Sequence, residues 1–186
     1  EGGEIFRGST DVVLKEEGWQ QMSQSVEGMQ WDHIITSPLK RCRLFAEQLA
    51  EQHQIPLHID ERWREFHFGI WEGKSREQVW DKHGEDIRRF FSDPISFTPE
   101  NAEPFVAVLE RVSEAWNELI AEYKDKRILV ITHGGVFRTL YAHLKSLPSR
   151  SFNSLEVPYA CLSRWKHYQY KEHGQAVLSF HNRQCD

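Results

Sequence analysis

Val130-Ile131-Thr132-His133-Gly134-Gly135-Val136-Phe137-Arg138 sets the architecture of this chain. From Arg127 to Thr132 branched and aliphatic side chains occupy successive positions, the pattern of a parallel strand buried on both faces. The strand passes directly into His133, two glycines and the helical spacing of Val136, Leu140 and Leu144. Strand, tight turn and helix start therefore follow within a few residues, with a histidine at the strand's carboxyl end. Ligands of open α/β sheets bind at that end, and the unpaired N–H groups of a starting helix favour an anion. Glycine at 134 and 135 lets the backbone approach such an anion closely. The alternative for His133 is a histidine that only fills a loop.

Outward from this stretch, strand and helix signals alternate. The sequence predicts a helix within residues 11–28, a short strand over 33–36, and a helix opened by Ser37-Pro38 that runs through Leu44, Ala46, Leu49 and Ala50 until Pro56 excludes it. Residues 57–59 read as a strand, and 75–91 and 103–124 as helices. The Val106, Leu109, Val112, Trp116, Leu119 spacing marks a buried stripe on the second of these. After a helix over 135–145, residues 155–157, 161–168 and 176–181 read as strands. Alternation of this kind implies a three-layer α/β/α fold around a mostly parallel sheet. Residues 1–186 form a single domain, with no repeat, low-complexity tract or dividing linker.

Composition narrows the function. A chain of 186 residues suits one α/β domain, and a net charge of −5 gives no general basic field for nucleic acid. No apolar run is long enough to span a membrane, and no signal-peptide pattern is visible. Cys42, Cys161 and Cys185 are widely spaced with no CxxC pair, which fits a reducing, cytoplasmic setting. Cys42 falls within a predicted helix as a small buried thiol. The histidines show no metal-ligand spacing such as HExxH, so neither a metal nor another cofactor is expected.

Three further segments carry candidate chemistry. In Thr36-Ser37-Pro38-Leu39-Lys40-Arg41 a strand again runs into a helix, with an arginine in its first turn. Such an arginine opposes the helix dipole, and bidentate pairing with a phosphate would account for it; a solvated surface arginine is the alternative. The loop Glu61-Arg62-Trp63-Arg64-Glu65-Phe66-His67-Phe68-Gly69-Ile70-Trp71-Glu72-Gly73 is irregular and rich in aromatics and acids. A carboxylate set among Phe66, Phe68 and Trp71 would have its pKa raised by desolvation, as suits a general acid near neutral pH. Equally, Glu65 or Glu72 could pair with Arg62, Arg64 or Lys74. Phe6-Arg7-Gly8-Ser9-Thr10-Asp11 is a turn-rich segment with a cationic side chain.

Together these segments resemble the histidine phosphatase (phosphoglycerate mutase-like) superfamily. The resemblance rests on Gly8-Ser9-Thr10-Asp11-Val12-Val13-Leu14…Gly18, Thr36-Ser37-Pro38-Leu39-Lys40-Arg41, Glu65-Phe66-His67-Phe68-Gly69-Ile70-Trp71-Glu72-Gly73 and Thr132-His133-Gly134-Gly135, in the family's order. It implies a phosphoglycerate mutase-like sheet, Arg41 as a phosphate-binding arginine and Glu65 as proton donor. His133 is implied as the second pocket histidine, holding phosphate oxygens with the Gly134 backbone, and Arg7 as a substrate contact. The family's nucleophile is the histidine of an Arg-His-Gly triplet after the first strand, and this triplet does not occur in the chain. It is expected just upstream of Glu1, on a central strand lying beside Arg127–Thr132.

Granting that histidine, the resemblance implies a phosphomonoesterase with a phosphohistidine intermediate, acting without metal on a small phosphorylated metabolite. The short chain and His133-Gly134-Gly135 favour a phosphatase over a mutase. Phe90-Phe91-Ser92-Asp93-Pro94 and Asn101-Ala102-Glu103-Pro104-Phe105…Arg111-Val112 are similar to the α-ribazole phosphatases of cobalamin biosynthesis. Those usually carry Gly-Glu-Ser where this chain has Ala102-Glu103-Pro104. The aromatic loop offers either a surface to stack on a benzimidazole-like ring or further core. A phosphoglycerate mutase, and a non-catalytic phospholigand-binding protein lacking the triplet, are the alternatives. Oligomeric state is not encoded legibly, and residues 155–186 carry no motif.

Overall fold

Ile34 and Ile35 are neighbours in sequence, and because side chains alternate along a strand each serves a different core. In the computed structural model, which describes residues 5–170 and 173–182, both lie on strand β1 (His33–Thr36). β1 is the middle of a parallel sheet, flanked by β2 (Leu57–Ile59) and β3 (Ile128–Ile131). Ile34 stands level with Leu57 and Leu129, and Thr36 with Ile59 and Ile131.

On one face Ile34, Leu129 and Ile131 pack against Cys42, Phe45, Ala46 and Leu49 of helix α2 (Lys40–His53), with Trp19, Met22 and Val26 of α1 (Glu16–Val26) beside them. On the other, Ile35 and Val130 meet Val108, Val112 and Trp116 of α4 (Phe105–Glu122) and Val136 and Leu140 of α5 (Gly134–Leu144). Two helices above and two below the sheet give the three layers expected from the sequence. A satellite cluster of Phe6, Trp71, Val79, Ile87 and Phe90 lies under α3 (Arg76–Ser92). That helix opens with a capping box in which Ser75 and Gln78 satisfy each other's backbone N–H groups.

An antiparallel hairpin of β4 (Arg164–Tyr170) and β5 (His173–Phe180) forms a second sheet. Its Trp165 and Ala176 pack against the α4–α5 core. The edge of β3 away from β1 pairs with no described strand. The strand expected upstream of Glu1 lies outside the described residues, as does Cys185. Among the described residues, no helix is long and apolar enough to cross a membrane.

Four expectations shift. Helix α2 starts at Lys40 rather than at Ser37-Pro38, and Asp11 reaches across from the first loop to accept the Lys40 N–H at 2.6 Å. Ser37 is thereby free for another role. The α4 stripe is borne out at Val112 and Trp116, with Leu109 and Leu119 partly buried beside them, but Phe105, Val108 and Ala115 also face inward and Val106 is 41% exposed. Residues 155–157 are not a strand. Of the last two strands, one begins at Arg164 and the other spans His173–Phe180.

Candidate active site

The carboxyl ends of β1 and β3 place two functional segments side by side, because the strands are parallel and in register. From β3 comes His133, the N-cap residue of α5. From β1 comes Arg41, in the first turn of α2. Arg41 donates through Nε to His133 Nδ1 at 3.2 Å. With Nδ1 accepting, the ring proton sits on Nε2, which donates to Ser37 Oγ at 2.7 Å. The ring is 8% exposed, and Cys42 Sγ lies 3.7 Å from both of its nitrogens. Burial, reinforced by the charges of Arg41 and Arg111, holds the His133 pKa well below the ordinary imidazole value, so the ring is neutral.

Arg41 also donates to two backbone carbonyls of the turn at residues 8–10, from Nη2 to Gly8 O at 2.6 Å and from Nη1 to Thr10 O at 2.8 Å. The arginine that opposes the helix dipole is thus held by three acceptors even without an anion. Gly8 must be glycine here: its φ is +47°, and a β-carbon would collide with Glu72 Oε1 and stand 2.7 Å from Phe66 O.

The turn is clamped from the aromatic loop. Glu72 Oε1 accepts from Ser9 N at 2.8 Å, Ser9 Oγ at 3.0 Å and Phe68 N at 3.1 Å, while Oε2 accepts from Thr10 Oγ1 at 2.6 Å. Partial burial opposes ionisation of Glu72, but these hydrogen bonds outweigh it and hold its pKa below the usual carboxylate range. Glu72 is therefore an ionised structural acceptor and pairs with no arginine or lysine among the described residues.

Glu65 behaves in the opposite way. Its carboxyl accepts only backbone N–H groups, Gly135 N at 3.2 Å on Oε2 and Phe66 N at 3.1 Å on Oε1. Burial pushes its pKa up, against the pull of those two donors and of the Arg41 and Arg111 charges. A carboxyl whose ionisation is opposed by burial, bonded to Gly135 two residues beyond His133, is the arrangement a general acid needs.

The sequence-predicted residues fall into two groups. Arg41, His133, Glu65 and the α5 N-terminus at Gly134 converge. Arg7 is exposed, and its side chain makes no hydrogen bond or ion pair with the described residues. The aromatic loop is mostly core, since Phe66 and Trp71 are 1% and 0% exposed and cannot stack on a ligand; Phe68 is half-buried. An open, largely apolar groove is lined by Phe6, Arg76, Glu77, Trp80, Ile87 and Phe91. Sequence reasoning missed Ser37 as the partner of His133 and Glu72 as the clamp. No local signal marks either, because the partner of Ser37 lies 96 residues away and the turn that Glu72 holds lies 62 to 63 away. Among the described residues no three metal-ligating side chains converge.

The model of the histidine phosphatase superfamily (branch 1) matches residues 1–183. Phosphoserine phosphatase 1 of Hydrogenobacter thermophilus is 28% identical over 150 residues, 79% of this chain and 71% of its own length. The adenosylcobalamin/α-ribazole phosphatase of Salmonella typhimurium is 26% identical over 162 residues, 86% of this chain and 80% of that protein. The crystal structure of the α-ribazole phosphatase from Shigella flexneri superposes with a TM-score of 0.80 at 26% identity, covering 96% of this chain and 88% of that one.

Proposed function

The chain belongs to the histidine phosphatase superfamily, and from that premise we propose that it hydrolyses phosphate monoesters of small metabolites through a phosphohistidine intermediate. The observation that carries the reading is the Glu65 carboxyl, raised in pKa by burial and hydrogen-bonded to Gly135 beside the neutral His133. In the first step an unprotonated imidazole attacks phosphorus in line while Glu65 gives its proton to the leaving alkoxide. In the second, Glu65 takes a proton from the water that cleaves the phosphohistidine. Arg41, His133 and the Gly134 backbone orient the transferring group and offset its charge, and Arg7 meets the remainder of the substrate. For His133 to grip a phosphate oxygen, Nε2–H turns its hydrogen bond from Ser37 to the anion.

The attacking histidine on this reading is that of the Arg-His-Gly motif implied by the family resemblance, outside residues 1–186. The complete reading frame tests that directly. A frame that lacks the motif makes the molecule a phospholigand-binding protein. As to the substrate, α-ribazole 5′-phosphate is the compound to try first, supported by the relatives of that name. Phosphate release is measured with EDTA present across α-ribazole 5′-phosphate, phosphoserine and phosphoglycerates; dependence on a bisphosphoglycerate primer would mark a mutase instead. Glu65→Gln is expected to slow turnover of alkyl phosphates by roughly 10²–10⁴, with far less effect on p-nitrophenyl phosphate, whose leaving group needs no proton. Equal losses on both substrates would remove Glu65 from the donor role.

A further inference from the structure

We propose that Arg111, locked by Glu103, is the positioning residue of Glu65: it fixes the backbone on which the proton donor stands. This rests on the phosphatase reading and concerns a pair of residues that reach the site only through other groups: Glu103, and Arg111, whose charge acts on Glu65 and His133. Arg111 lies on the inward face of α4, flanked by buried Val108, Val112 and Ala115, and its side chain is 10% exposed. Its Nε and Nη2 form a fork on Glu103 Oε1 and Oε2, at 2.8 and 3.0 Å. Its remaining nitrogen, Nη1, donates to the carbonyls of Arg62 at 2.6 Å and Arg64 at 2.8 Å. The second of these belongs to the peptide bond that leads into Glu65.

Glu103 completes the frame from the other side. Its carboxylate, 11% exposed, also accepts from Arg64 Nη2 at 3.3 Å, and its backbone N–H donates to His67 O at 2.8 Å. Thr132 Oγ1 donates to the carbonyl of Trp63 at 2.7 Å. Carbonyls on both sides of Glu65, at 62, 63, 64 and 67, are therefore held by groups from α4, its N-terminal approach and the β3 end. That leaves the Glu65 side chain little choice but to point at Gly135.

A buried ion pair is a poor source of stability, because desolvation of both charges cancels most of their attraction. What it does supply is geometry. A guanidinium offers a rigid planar set of donors on three nitrogens, which here spans both oxygens of a carboxylate and two carbonyls. Lysine's three N–H bonds radiate from one nitrogen, so it cannot reproduce that span. The alternative is that the pair merely staples α4 to the loop, with no bearing on the donor.

A double-mutant cycle separates the two. Wild type, Arg111→Lys, Glu65→Gln and the double variant are made from the complete reading frame and assayed on an alkyl phosphate and on p-nitrophenyl phosphate. Arg111→Lys keeps a charge for Glu103 and loses the fork. Expected is a fall in kcat on the alkyl phosphate of roughly 10²-fold, the effect of a misplacement near 1 Å, with KM little changed and a smaller loss on p-nitrophenyl phosphate. In the Glu65→Gln background the same change should cost almost nothing more, because the group it positions is gone. Losses that multiply, or that are equal on the two substrates, overturn the inference while leaving the phosphatase reading intact. A wild-type protein that releases no phosphate overturns both. Should circular dichroism show Arg111→Lys unfolded, Glu103→Gln/Arg111→Gln, which removes both buried charges together, takes its place in the cycle.

Discussion

Gly135 is where the fold and the chemistry depend on the same missing atom. A β-carbon there would stand 2.5 Å from Glu65 Oε1, 2.8 Å from Phe66 Cδ2 and 3.0 Å from Phe66 Cε2. The Phe66 ring cannot give way, being 1% exposed and wedged among Phe68, Phe105 and Phe152 with centroids 5.6 to 6.1 Å away. The carboxyl must move instead, by about an ångström, and with it goes the hydrogen bond from Gly135 N. Overpacking of this kind costs about 1–3 kcal/mol, and a buried N–H left without its acceptor costs about another 1–3 kcal/mol. Alanine's better helix propensity returns at most about 1 kcal/mol. Gly135→Ala should therefore lower the melting temperature and, through the displaced donor, reduce kcat on alkyl phosphates by roughly 10²-fold. Gly134 is the internal control for stability, since a β-carbon there meets only Arg138 Nη1 at 3.4 Å and Val157 Cγ1 at 3.9 Å; Gly134→Ala should leave the melting temperature near that of wild type. Thermal melts and paired assays on alkyl and p-nitrophenyl phosphates decide the matter. A Gly135→Ala protein with wild-type stability and wild-type turnover would mean that Glu65 does not rest where the structure puts it.

Three other outcomes follow from the same geometry. Glu72→Gln keeps the shape but removes the charge that four donors share, so it should cost about 1–2 kcal/mol after allowance for solvent screening and loosen the turn at residues 8–10; hydrogen exchange at Ser9 N would show it, and unchanged protection would refute the clamp. Stability should depend on pH through two groups of opposite sense. Glu65, raised, contributes stability below the ordinary glutamate range that is lost as pH rises through its folded value. His133, lowered, contributes above the ordinary imidazole range and loses its contribution as pH falls through its folded value. Melting curves of Glu65→Gln should lack the first of these losses, and a curve superimposable on wild type across that range would contradict the assignment. Finally, burial pushes the Cys42 thiol up to about 12, so Cys42 should resist alkylation at neutral pH until the protein unfolds, while the half-buried Cys161 reacts; peptide mass mapping after brief iodoacetamide treatment reads both.

How much of this the sequence disclosed depended on how far apart the interacting groups lie along the chain. The β3–α5 unit was legible because strand period, glycine turn and helix period are all local. The α4 stripe was found except at its start, where the neighbours Phe105 and Val106 are both apolar and only packing against the core settles that Phe105 turns inward. Residues 155–157 alternate like a strand, yet their carbonyls are served by side chains in place of a ladder: Arg138 Nε donates to Leu155 O at 3.0 Å and His181 Nε2 to Glu156 O at 2.7 Å. Three residues of alternation cannot reveal that substitution.

The site divides along the same line. Arg41, Glu65 and His133 were singled out by their types, their local settings and a family resemblance, and the fold brings them together through the register of β1 with β3. The groups that fix their states were not singled out. Ser37 resembled a helix cap, and only its contact with His133 Nε2 shows that Asp11 had taken over the capping. Glu65 and Glu72 lie seven residues apart in one loop and looked interchangeable, yet opposite environments send their pKa values in opposite directions. Burial tells against the charged form of both carboxyls, but Glu72 receives two hydroxyls besides its N–H donors and Glu65 only two backbone N–H groups. Arg111, quoted with Glu103 in the stretch similar to the α-ribazole phosphatases, also left a physical trace in the sequence, as a charge standing between Val108 and Val112 on a face that otherwise buries. A lone arginine in an apolar stripe has to be satisfied by something. Here what satisfies it is Glu103 and the backbone of the loop that presents the proton donor.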